Sequence, residues 1–97
     1  MTLKEMYETV ESICIDLGLV TTDDYDDDTK DDNEKGISVW NGEDEDDEIA
    51  ESTTQLFNEF IEECEKHNIK CSRIKRNDCS TRRVDVDYKD NKNRTLK

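Results

Sequence analysis

Leu3, Met6, Tyr7, Val10, Ile13, Cys14 and Leu17 recur at steps of three and four. That spacing lines one face of a helix and predicts one over residues 2–17. Thr2 followed by Glu5 is a capping-box pattern, and Gly18 is a natural stop. Leu19 and Val20 are expected to turn the chain back onto the core. The rhythm changes at residues 36–41, where Ile37 and Val39 fall on one side of a strand and Ser38 and Trp40 on the other. Asn41-Gly42 then supplies turn chemistry. The helical step returns in Ile49, Thr53, Leu56, Phe57, Phe60, Ile61 and Cys64, predicting a second helix from Asp46 or Asp47 to His67. Lys66 and His67 suit its negative end, and Asn68 can close it in a left-handed conformation.

Residues 69–76 and 81–88 read as a hairpin around Asn77-Asp78. A two-residue loop there would pair Cys71 with Val84 and Ile69 with Val86 on one face, and Lys70 with Asp85 and Ser72 with Arg83 on the other. Asn-Asp is a weaker turn signal than Asn-Gly, which leaves room for a longer loop. The order helix, strand, helix, strand, strand predicts a small two-layer α+β domain, with two helices on one face of a three-stranded sheet. The simplest wiring is a right-handed parallel crossover between the first two strands. Residues 1–88 are expected to form a single domain and residues 89–97, polar and without period, a loose tail.

Charge alters this picture most between residues 21 and 51, which hold fifteen carboxylates against two lysines. Such blocks are usually solvated or disordered. Here Ile37, Val39 and Trp40 interrupt the run, and its second half leads into a helix whose positive end the acids stabilise. Net charge is -13, distributed unevenly. Residues 1–68 carry 23 acids against 4 bases, and residues 69–97 carry 4 acids against 10 bases. A surface of that negative density repels nucleic acid and anionic membranes and attracts basic proteins. Neither an export signal nor a membrane-length apolar run is apparent, so the expected location is cytoplasmic. A single alanine, no proline and frequent Lys and Asn suggest an AT-rich source, such as a bacterial mobile element or phage.

Candidate chemistry adds little. Cys64, His67, Cys71 and Cys79 could in principle close a zinc site, but no C-x2-C pair is present. Cys64 continues the apolar stripe and Cys71 fits an inward strand position, so buried thiols are the expectation, with no metal or other cofactor. An EF-hand loop with Gly36 at its sixth position would put Lys35 at a ligand position and Gly42 where the bidentate Glu belongs. No nucleophile elbow or phosphate-binding glycine loop occurs, and the expectation is a protein without enzymatic activity. Arg73, Lys75, Arg76, Arg82 and Arg83 form a basic pole without interleaved aromatics, a weak signal for nucleic acid.

The surface expected to bind a partner therefore comprises Asp23, Asp24, Tyr25, Asp26, Asp27, Asp28, Asp31 and Asp32, with Glu43, Asp44, Glu45, Asp46, Asp47 and Glu48. Trp40 either packs beneath the second helix or anchors the partner. Duplex DNA carries one charge per ~1.7 Å of axis, and carboxylates on rigid elements can approximate that field. In size and charge the chain is similar to phage-encoded DNA mimics such as anti-CRISPR and anti-restriction proteins, a similarity of composition carried by no motif. It implies an inhibitor of a basic, nucleic-acid-handling protein. An immunity protein or antitoxin capping a dedicated toxin, and an assembly protein joining acidic to basic poles, are the alternatives.

Overall fold

The computed structural model describes residues 1–42, 51–75 and 81–97, apart from the side chains of residues 51–53. The expected start of the second helix, the Asn77-Asp78 turn, Arg76 and Cys79 lie outside the described residues.

Helix α1 spans Leu3–Leu17 and opens on the capping box: the Thr2 side chain accepts from the Glu5 amide and the Glu5 carboxylate from the Thr2 amide. Gly18 ends it at φ 73°, a left-handed conformation that an L side chain would strain. Met6, Tyr7, Val10, Ile13 and Cys14 form its buried face. Helix α2, Glu51–Lys66, buries Phe57, Phe60 and Cys64 and half-buries Leu56 and Ile61. Asn68 closes it at φ 63°, where the Ile69 amide bonds the Cys64 carbonyl at 2.8 Å.

The sheet has four strands where three were expected. Strand β1, Val20–Asp23, lies at the edge beside β2, Gly36–Trp40. Its register runs from Val20 opposite Trp40 to Asp23 opposite Ile37. β-Branched Val20, Thr21 and Thr22 favour the extended chain, and an edge strand needs no strong apolar alternation to be held. Strands β3, Ser72–Lys75, and β4, Thr81–Asp87, complete the order β1-β2-β4-β3, every neighbouring pair antiparallel. β2 and β3 thus run in the same direction, but β4 lies between them, which replaces the expected direct crossover between neighbours.

The β3–β4 register also departs from the expected pairing by two residues. Ser72 faces Asp85, Arg73 faces Val84 and Ile74 faces Arg83. A two-residue slip keeps every side chain on its face, so apolar alternation could not choose between the registers. Lys75 then faces Thr81, leaving Arg82 as the extra residue of a β-bulge. The bulge explains how Thr81 and Val84, three apart, are both buried.

Ile37, Val39, Val84 and Val86 line the face on which both helices pack, and they join Met6, Val10, Cys14, Phe57 and Phe60 in one core. Residues 89–97, expected to be loose, are tied down instead. Fully buried Asn91 accepts from the Lys70 amide at 2.7 Å and donates to the carbonyls of Lys70 and Asp87. Asn68 donates to the Thr95 carbonyl, and Leu96 packs against the core.

Candidate partner-binding surface

Between β1 and β2 the chain passes through residues 24–35, the first acidic block. Asp24 organises it. Its Oδ1 accepts from the Tyr7 hydroxyl at 2.7 Å and the Gly36 amide at 2.8 Å, and its Oδ2 accepts from Lys30 Nζ at 3.0 Å. Tyr7, 3 % exposed on α1, also bonds the Gly36 carbonyl. The Tyr25 ring leans on Tyr7 with centroids 5.2 Å apart. Lys35 lies nearly buried beneath the loop, its Nζ 3.1 Å from the Tyr25 carbonyl and 3.6 Å from Asp32 Oδ1. Asp27 accepts from the amide and hydroxyl of Thr29, and Lys92 donates to Asn33.

The loop's two lysines are thus engaged with the loop itself, while Asp23, Asp26, Asp28, Asp31, Asp32 and Glu34 are exposed. Burial acts to raise the Asp24 pKa, but hydrogen bonds from Tyr7, Gly36 and Lys30 outweigh it and hold the carboxyl below its ordinary value. The Tyr7 hydroxyl is pushed up, first by burial and then by its bond to Asp24.

Two residues outside the expected surface, both on the polar face of α1, join it. Glu8 and Glu11 border a cleft of about 190 Å³ together with Asp23, Asp26, Tyr25, Tyr7 and Lys4, whose Nζ lies 3.8 Å from Glu8. Burial raises the Glu11 pKa, and a hydrogen bond with Asp23 and the charges of Asp23 and Glu8 raise it further. Their signal was the i, i+3 spacing on the polar face of α1. A second concavity, about 470 Å³, lies between the helices, where Asp16, Glu59, Glu62 and Glu63 surround Ile13 and Leu17.

Trp40 stands elsewhere. It alternates with Val39 and so lies on the sheet face away from the helices, not beneath α2. It also sits at the far end of β2 from Gly36, four residue steps or ~13 Å away. The bulge brings two successive arginines to it: the guanidinium carbons of Arg82 and Arg83 lie 5.9 and 5.3 Å from the ring centroid. Arg83 is further held by Asp85 at 2.9 Å, which also accepts from Ser38. Arg73 bonds Thr81 at 3.1 Å and also Asn58. Acidic loop and arginines therefore mark opposite ends of the sheet. Glu43, Asp44, Glu45, Asp46, Asp47 and Glu48 lie outside the described residues.

Cys14 and Cys64 are buried, and burial pushes the Cys14 thiol up to about 12. His67 Nδ1 contacts the Lys97 carbonyl at 2.7 Å. Among the described residues no three His, Cys, Asp or Glu side chains are grouped to hold a metal, and no helix is long and apolar enough to cross a membrane. Comparison with known protein families, curated proteins and solved structures returns no match.

Proposed function

We propose that this protein is a small acidic inhibitor that occupies the nucleic-acid-binding surface of a basic partner, acting by binding and not by catalysis. The observation that carries the reading is the bonded course of residues 24–35, whose two lysines pair within the loop while Asp26, Asp28, Asp31, Asp32 and Glu34 are exposed. Acids from the loop and from α1 then surround the cleft at Tyr25, with Lys4 beside Glu8 on its rim. A fixed array of this kind presents a basic groove with charges at set positions, as a phosphate backbone does. The partner is a nuclease or another nucleic-acid-binding protein; the inhibitor itself would contact neither nucleic acid nor membrane.

The test is a pull-down at low salt from a bacterial host lysate, repeated with competing duplex DNA. Retention of a DNA-binding protein that DNA displaces, weakening gradually as acids are neutralised, is the expected result. If one or two alanine substitutions abolish retention and DNA does not compete, the mimic reading fails. Retention of one small toxin untouched by DNA would move the assignment to an immunity protein.

A second reading, head-to-tail self-association, is favoured by the placement of acidic loop and arginines at opposite ends of the sheet. It requires a sedimentation coefficient that rises with concentration and falls as salt is added.

A further inference from the structure

We infer that Tyr7 and Asp24 are positioning residues for the acidic surface, so that Asp24 belongs to the loop's support and not to its contact face. The inference rests on the proposed role of residues 24–35 in binding a basic partner. Both Asp24 oxygens already have donors, one of them from a hydroxyl rooted in the α1 core and one from the first amide of β2. These bonds fasten the loop to the two elements it passes between. Tyr25, leaning on Tyr7, and Lys35, bonded to the Tyr25 carbonyl, extend the attachment into the following residues. Asp26, Asp28, Asp31 and Asp32 are consequently presented from a loop that is ordered before any partner arrives, and binding need not supply the ordering free energy.

Position and charge are separable here, because Tyr7→Phe removes a hydrogen bond and no charge. Long-range steering depends on total charge and governs the association rate, whereas the fit of a fixed array governs dissociation. Tyr7→Phe is therefore expected to leave the association rate unchanged and to speed dissociation roughly ten-fold. A triple Asp26→Asn, Asp28→Asn, Asp31→Asn variant, which spares the Asp32 partner of Lys35, is expected to slow association instead.

The experiment has two arms. Amide hydrogen exchange is measured on the free protein, for the wild type, Tyr7→Phe, Asp24→Asn and the triple variant. Exchange in residues 25–35 should rise roughly ten-fold or more in the first two variants and stay at the wild-type rate in the triple variant, while β4 amides remain protected in all. Should Tyr7→Phe loosen β4 as well, Asp24→Asn, which lies outside the helices, decides the arm. Surface-immobilised wild type and variants are then exposed to the DNA-displaceable protein identified by the pull-down.

Unchanged loop exchange in Asp24→Asn overturns the inference without touching the proposed function. A loosened loop with unaltered dissociation overturns it as well. If no DNA-displaceable protein is retained, the functional reading falls and the positioning role falls with it, while the exchange arm still reports whether the attachment exists.

Discussion

Asp24 and Asp87 pull the pH dependence of stability in opposite directions. The carboxyl of Asp24 is lowered in the fold, so its stabilisation is present above the unfolded value near 3.8 and lost as pH falls through the folded one. Asp87 is raised by burial and then by Asp85 and Asp90, so its ionised form opposes folding, and the opposition fades as pH falls toward its folded value. The melting temperature should therefore rise modestly as pH falls from neutrality toward the raised folded value of Asp87, and drop once pH falls below about 3.8 toward the lowered folded value of Asp24. Asp87→Asn should flatten the first limb and Asp24→Asn the second, in thermal scans across pH. Asn91 makes a separate case. Replacing this buried side chain with alanine leaves the Lys70 amide and the carbonyls of Lys70 and Asp87 without it, and should cost about 2 to 3 kcal/mol by denaturant titration. Neither role was legible in the sequence. Asp24 is one of five aspartates between residues 23 and 28, and only the Tyr7 hydroxyl and Gly36 amide meeting it set it apart. Asn91 sits in a polar stretch without period, where burial leaves no trace.

The elements were legible in proportion to how much of their periodicity was apolar. Helix α1 and its Thr2 and Gly18 caps, the inward residues of β2 and the left-handed Asn68 could all be read directly, because spacing and cap chemistry agree there. β1 was missed because its inward position is Thr21 and acids follow at once. The β3–β4 register was missed because a slip of two is invisible to alternation and the bulge at Arg82 follows no local composition rule. Gly36, at the start of β2, tests how closely the strands fit. A Cβ there would meet Asp87 Oδ1 at 2.9 Å and the Val86 carbonyl at 3.0 Å. Gly36→Ala should lower stability by about 1 to 3 kcal/mol, read as a fall in the denaturant midpoint with unchanged slope.

For the molecule as a whole, a net charge of -13 on 97 residues makes self-repulsion a standing term against the compact state. Monovalent salt should raise the melting temperature through the range where the Debye length falls to about 8 Å, even as it weakens binding to any basic partner. A melting temperature that falls with salt would mean that ion pairs such as Lys30 with Asp24 outweigh the repulsion. The uneven charge was plain from the sequence, but not that Lys92 would reach Asn33 on the acidic loop while Arg82 and Arg83 stand at the opposite end of the sheet. That arrangement makes the single tryptophan a built-in optical reporter. Trp40 lies under two guanidinium groups and about a strand's length from the acidic loop. A ligand seated on the loop should leave its emission nearly unchanged, whereas one that draws Arg82 or Arg83 away should shift it. Unmodified protein can thus reveal by its colour which end of the sheet has been occupied.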